Sequence, residues 1–573
     1  MATIQAHADA TRTQPRISWD RVVQWSIVVL TAVLVIFPAW PLFVQAFMDK
    51  PLYDATKALT FDNVVRTLTS AELWGVVGTT AIYGVLSTVL AVVLGTALAL
   101  LITRTDMPGK GFVSSLVLIP FFVSPLVLAY SWDTIFGRQG YFTVLIRTLG
   151  LPTWDLLTLG GMIVVTAMFY APNAYLQCTA SLALSDPQLE DAARIAGANP
   201  FRAMWRVTVP LLRPAITFSA LFIFVSSIEM LAIPLVLGMP VNIQILPSYL
   251  YKIGAIGSPP DYGQLAVVSI LLVFFIAFLV AIQNRMVNQE RRFVTVGGKA
   301  TRPRLLRLGP WRIAAFAIVV LYMIVGIILP LIGLVAKSFV PFLNPSINPL
   351  TMLTLENYDF LLSAQSYSSS IINSLVISTI GAAIGIIFMA MIAVIVYRST
   401  FRGRRALAYA AMFPRAFPGI IIGIGFLWAF LLIPGIGGWR NTIWAIMAAF
   451  IMRYLPLGFI TISPSIMRVS NELDRAARVA GASWLKMVTS ILGPILFPAL
   501  MSGYVLLFIT FLKEYSSALF LYAPGSEVIG TTLISLGRNG DTGPMAALAT
   551  IQTVITFVVI FFSRRFLGVK LYE

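Results

Sequence analysis

The chain has 573 residues, of which 58% are apolar and 11% charged, and it carries a formal net charge of +17. That apolar share is more than the core of an ordinary soluble domain uses, so a soluble enzyme or binding module is excluded and a membrane solvent is implied. The basic excess invites a nucleic-acid reading, but the Lys and Arg residues are spread between apolar runs rather than gathered on one face, which argues against nucleic acid as a partner.

A polar tail, 1–21, opens the chain and holds its one histidine, His7. The apolar run behind the tail is too long for a signal-peptide core and predicts a retained first span. Similar runs follow along the whole length, each able to cross about 30 Å of hydrocarbon as a helix rising about 1.5 Å per residue. They predict spans at 22–47, 74–102, 112–135, 159–183, 215–238 and 263–284, then at 312–338, 370–396, 408–432, 441–463, 496–522 and 546–563. The fold class is therefore an all-α membrane protein of twelve spans. Placing the N-terminus in the cytoplasm puts most Lys and Arg in the tail, the even-numbered loops and the C-terminus, as the positive-inside rule requires. Both termini are then expected on the cytoplasmic side of a bacterial inner membrane. The densest basic cluster, Arg285 to Arg312, joins the sixth and seventh spans and is expected against anionic headgroups of the lipid bilayer.

Thiol and imidazole chemistry have almost no residues to use. Cys178 is the single cysteine and falls in the fourth span, so a disulfide framework and a zinc site of Cys and His ligands are excluded. A Ser-His-Asp or Cys-His arrangement would have to draw on His7 in the tail, so no catalytic residues are assigned and the chain is not expected to be an enzyme.

The chain is an internal duplication. Residues 189–216 align without a gap to 473–500 at a constant offset of 284, pairing Leu189 with Leu473, Ala192 with Ala476, Ala193 with Ala477, Arg194 with Arg478, Gly197 with Gly481, and Pro210 with Pro494. Tyr170 and Pro172 meet Tyr454 and Pro456 at the same offset, whereas Arg104, Gly109 and Pro120 meet Arg398, Gly403 and Pro414 at 294. The first copy thus holds about ten extra residues between its third and fourth spans. Two tandem six-span helical repeats result, 22–284 and 312–573, joined by a basic cytoplasmic linker, 285–311. Six spans restore the starting side, so the copies share an orientation and a pathway between them is expected.

The repeated segment reads as a short helix, a break, and a second helix entering the membrane. Asp186-Pro187 and Ser470 are candidate N-caps, Gly197 and Gly481 candidate left-handed stops, and Asn199 and Ser483 caps for the next helix. Leu189, Ala192, Ala193 and Ala196, repeated by Leu473, Ala476, Ala477 and Ala480, place small side chains on one narrow face suited to a cleft. An amphipathic helix resting on the membrane surface would explain one such segment. Recurrence of cap, small face, glycine and prolines in register favours docking on a paired cytoplasmic partner.

At these residues the chain resembles the permease subunits of ABC-type importers, whose cytoplasmic loop carries E-A-A, three residues, a glycine and later a proline. Asp191-Ala192-Ala193 with Gly197 and Pro210 matches that pattern, as does Ala476-Ala477 with Gly481 and Pro494. The acidic position is Asp191 in the first copy but Arg475 in the second, with Asp474 one place earlier. The resemblance implies a type I importer permease fold, with Asp191, Ala192, Ala193, Arg194, Gly197, Ala476, Ala477, Arg478 and Gly481 coupling the chain to two ATP-binding subunits. It also implies a periplasmic solute-binding protein. ATP and Mg would be held by the partner subunits and no cofactor by this chain, in which Gly109-Lys110 and Gly298-Lys299 lack the remaining phosphate-cradling pattern. Over nearly its whole length the chain is similar to the fused permeases of the ferric-iron importer group, whose relatives carry polyamines, thiamine, phosphonates and sugar phosphates.

Ionisable residues inside spans each require an explanation, because insertion costs roughly 2.5–3.5 kcal/mol per charge. Asp133, Glu229, Arg415, Arg453, Lys513 and Glu514 are the candidates. Glu229 and Glu514, with Tyr515, suggest an oxygen-rich set for a hard cation such as Fe(III). The same carboxylates also suit internal pairing with Arg, and Arg415 and Arg453 suit an anionic cargo. A metal site is left unassigned. A secondary transporter is the alternative class, since it also uses six-plus-six repeats. Paired docking motifs are not expected of it.

Overall fold

The computed structural model describes residues 19–566 apart from 186–187, 291–304, 342–350, 434 and 436. The Asp186-Pro187 cap and most of the basic linker therefore lie outside the described residues.

Among the described residues, nine helices are long and apolar enough to cross a membrane. They are Trp19–Gln45, Ala71–Arg104, Leu159–Leu184, Tyr262–Met286, Trp311–Ser338, Gln365–Arg398, Ile443–Arg468, Trp484–Lys513 and Thr542–Arg565. Three bent pairs, each a broken span or a re-entrant loop, lie where the remaining spans are expected. Lys110–Phe121 and Pro125–Thr148 meet at 104°, Arg404–Ala416 and Gly419–Leu432 at 109°, and Phe201–Leu211 and Arg213–Ile228 at 58°. The third and ninth spans are thus not the straight crossings expected at 112–135 and 408–432. Pro120 and Pro125 in one copy, and Pro414 and Pro418 in the other, interrupt the backbone ladder on both sides of each break. Apolar composition alone does not distinguish a straight helix from a broken one.

A second correction concerns the ends of the fifth and eleventh spans, expected to run to 238 and 522. The helices stop at Ile228 and Lys513. The chain then folds back into the protein, and Leu237, Ile245, Tyr249, Ser517, Ala518, Ile529 and Leu533 are each fully buried. These segments are apolar because protein covers them, not lipid. The extra residues of the first copy form the helix Tyr141–Thr148.

The first span of each copy packs on the opposite copy. Trp19–Ile36 lies against Ala382–Arg398, Arg404–Met412 and Ile443–Arg468 of the second copy, and Leu329–Ser338 lies against Pro125–Phe136 of the first. Each crossing is fastened by polar atoms. Asp20 accepts from the backbone N–H groups of Trp484 and Leu485 at 3.0 and 3.2 Å. Trp132 donates to the Gly326 carbonyl at 3.1 Å, and the Tyr322 hydroxyl donates to the Met168 carbonyl at 3.1 Å. The largest apolar core cluster consequently runs through both copies, beside two smaller ones.

Candidate functional site

Two regions hold the expected functional residues: the paired loop helices and a polar cluster between the copies.

The loop helices are Gln188–Ile195 and Asn471–Val479. Gly197 and Gly481 end them at φ of +87° and +77°, where a side chain would be strained. In each, the glycine N–H bonds three residues back and the next N–H five residues back: Gly197 to Arg194 and Ala198 to Ala193, Gly481 to Arg478 and Ala482 to Ala477, all at 2.9–3.0 Å. This is the Schellman closure expected of a left-handed stop. Asn199 and Ser483 then accept from the backbone N–H of Arg202 and Lys486 at 2.7 and 3.2 Å, restarting the chain as the next helix, while Ser470 accepts from the Glu472 N–H at 3.2 Å.

The small face does not project as a unit. Ala477 is 5% exposed and turns into the protein, and Ala193 is half-buried, whereas Ala192, Asp191, Ala476 and Ala480 are exposed. The outermost apolar groups are Ile195, 88% exposed, and Val479, 91% exposed, in register at the same offset of 284. Sequence reasoning passed over this pair because it lies off the alanine stripe.

Each loop helix is pinned by a buried arginine. Arg398, at the end of the eighth span, meets Asp474 at 3.2 Å, Asn471 at 2.7 Å and the Ile466 carbonyl at 2.7 Å, and also reaches the Val469 carbonyl. Its counterpart Arg104, at the end of the second span, meets Glu190 at 3.7 Å, the Leu182 carbonyl at 3.2 Å and the Ser185 hydroxyl. The in-register acids are therefore Glu190 and Asp474, and Asp191 and Arg475 are both exposed. The apparent loss of an acid from the second copy disappears for this internal pair. Offsets of 294 for the arginines and 284 for the acids were both visible in the sequence, but nothing in it linked the two.

The polar cluster is built where the tenth and eleventh spans meet the break of the ninth. Arg453 Nε lies 3.0 Å from Glu514 Oε2, and the Tyr454 hydroxyl donates to the same oxygen. Glu514 Oε1 accepts from the Ser516 hydroxyl at 2.7 Å and the Ser517 N–H at 3.0 Å. Glycine at 419 makes room for this: a Cβ there would stand 1.6 Å from Arg453 Nη1 and 2.1 Å from Ser516 Oγ. Tyr515 is buried and its Cβ lies where any side chain on Gly530 would have to go.

Glu514 is thus fully engaged, and the expected pairing of two free carboxylates is not present. Glu229 faces the charges of Arg453 and Arg415, and among the described residues it makes no ion pair within 4.0 Å. Arg415 Nη2 donates to Gln283 Oε1 of the other copy at 2.7 Å, and Lys513 donates to the Phe121 carbonyl, again across the copies. Among the described residues no group of three or more His, Cys, Asp or Glu is placed to hold a metal ion.

The family described as "Binding-protein-dependent transport system inner membrane component" matches residues 91–293 and 385–568, once in each copy. The "Ferric transport system permease protein FbpB" of Actinobacillus pleuropneumoniae is 27% identical over 552 residues, covering 94% of this chain and 77% of that protein. The "Putative ferric transport system permease protein FbpB 1" of Haemophilus influenzae is 29% identical, covering 90% and 79%. The "Spermidine/putrescine transport system permease protein PotC" of Haemophilus influenzae is 25% identical over 36% of this chain and 79% of its own length, so a protein of single-repeat size aligns with part of the duplication. The two matches to one family, the nine to twelve spans among the described residues and the duplicated loop helices agree, and the chain belongs to the inner-membrane permease components of binding-protein-dependent ABC importers as a fused two-copy member.

Proposed function

We propose that this permease carries ferric iron inward across a bacterial inner membrane, driven by two separate ATP-binding subunits docked on its loop helices. The observation that carries the coupling part is the pair of exposed, in-register apolar tips Ile195 and Val479 on glycine-stopped helices, each braced by a buried arginine. A braced helix transmits displacement to the span that holds it, which a loosely tethered one does not. Both termini face the cytoplasm in this reading, and a periplasmic protein delivers the solute to the opposite side.

The cargo reading is supported by the two ferric permease relatives, which align with this chain almost from end to end. Within the pathway Glu229 is the carboxylate left for a hard cation, whereas the Arg453–Glu514 pair closes the second copy beside it. Iron passes as substrate, held transiently by oxygen donors, and no resident metal centre is implied. Uptake of radiolabelled ferric iron into proteoliposomes holding this chain, its ATPase and its binding protein tests the proposal. ATP-dependent accumulation of iron, with none of spermidine or sulfate, is the expected result, and accumulation of either of those instead would refute the cargo.

A further inference from the structure

A cavity of about 820 Å³ opens beside the second loop helix, between the start of the first span and the cytoplasmic ends of the eighth and ninth spans. It is of the size that holds small ligands, about 300–1,000 Å³. Its walls are basic. Arg21, Arg402 and Arg478 line it, all three exposed, and among the described residues none of them forms an ion pair. Asp20, the carboxylate in the same wall, is already held by the backbone N–H groups of Trp484 and Leu485. The cavity therefore presents an uncompensated positive charge.

Aromatic rings frame the same opening. Trp25 packs edge-on to Phe401 with ring centroids 5.1 Å apart, and Trp484 stands opposite with its indole N–H on the Arg398 carbonyl at 3.3 Å. Trp at a span end marks headgroup depth, where a polar edge and an apolar face are both satisfied. Arginine forks arranged around one space suit the oxygens of a phosphate better than a single carboxylate.

The duplication supplies an internal control. At the equivalent place in the first copy, Asp106 and Pro108 stand where the second copy has Thr400 and Arg402. There the chain ahead of the seventh span closes the space, through Asp106 N–H to the Leu306 carbonyl at 3.0 Å, Leu306 N–H to the Arg104 carbonyl at 2.8 Å, and Asp106 Oδ1 accepting from Leu308 N–H at 2.8 Å. One copy fills the space with backbone and an acid, and the other surrounds it with arginines.

We infer that this cavity binds a phosphate-bearing anion, supplied either by the headgroup of an anionic phospholipid or by free phosphate in the cytoplasm. Its walls come from the first span, from the loop after the eighth and from the second loop helix. An occupant holds these three together, and binding favours whichever transport state keeps them in contact. The site is peculiar to the second copy and is independent of the cargo.

The test uses the full-length chain in phosphatidylcholine nanodiscs containing phosphatidylglycerol, followed by exchange into phosphatidylcholine alone and mass spectrometry of the retained lipid. The wild type is expected to keep phosphatidylglycerol, and R21Q/R402Q to keep about tenfold less, each basic group near the surface contributing on the order of a few-fold. R285Q/R312Q removes the same charge from the linker ends, whose expected headgroup contacts are made at the open membrane surface and exchange with bulk lipid, so it is expected to retain lipid as the wild type does after exchange. Excess sodium phosphate separates the sources. Retention that survives it identifies the headgroup, and displacement with a raised melting temperature, seen in the wild type and lost in R21Q/R402Q, identifies free phosphate. Equal retention in wild type and R21Q/R402Q with no phosphate-dependent stabilisation, or equal loss in R21Q/R402Q and R285Q/R312Q, overturns the site.

Discussion

At the scale of single residues, two carboxylates that the sequence presents as equals have different chemistry. Glu514 is bound by Arg453, Tyr454, Ser516 and Ser517, and Glu229 is not engaged in that way. Replacing Glu514 with Gln strands a buried guanidinium, so Glu514→Gln is expected to cost about 3 kcal/mol of stability, at the low end for such pairs because the Arg453 side chain keeps 20% exposure. A fall in thermal unfolding temperature without cargo present checks it. Glu229→Gln breaks no ion pair within 4.0 Å among the described residues. It is expected to lower iron uptake by about tenfold or more while assembly and melting stay unchanged; a wild-type uptake rate would remove Glu229 from the pathway. The sequence made Glu229 and Glu514 conspicuous, since charge within an apolar run is rare. It did not show that Arg453, sixty-one residues before Glu514, crosses Gly419 to meet it.

At the scale of elements, the two loop helices were legible almost completely. Caps, glycine stops and restart caps are local, so the residues that make them lie within a few positions of one another. What was not legible is which face turns outward, because that depends on the spans beneath. Ala477 faces in, so a Trp there would overpack the permease itself, at about 1–3 kcal/mol. The informative change is on the exposed side: Ala192→Trp with Ala476→Trp should weaken ATPase association roughly tenfold or more and leave the melting temperature unchanged. Bracing gives a second expectation. Arg398→Gln leaves Asp474 buried and unpaired and should cost about 3–5 kcal/mol, whereas Arg104→Gln should cost less, because its partner is more exposed and lies 3.7 Å away. Comparable melting shifts in the two variants would contradict that ranking. The breaks in the third and ninth spans were foreshadowed by repeated prolines, although apolar content read as continuous crossings.

At the scale of the whole molecule, the duplication and its extra residues could be read directly from offsets of 284 and 294, but the exchange of first spans could not. A span's neighbours are set by surfaces hundreds of residues apart, and Asp20 meeting Trp484 leaves no local trace. Because each copy completes the other, chains divided within the linker should be unstable singly and recover a shared complex when made together. If the duplicated loop helices seat two separate ATPase subunits, the stoichiometry of the ATPase co-purifying with the intact chain measures it most directly. Two ATPase subunits per chain are expected, reduced to none or one by Ala192→Trp with Ala476→Trp. A single ATPase per wild-type chain, or two retained in the double variant, would contradict it.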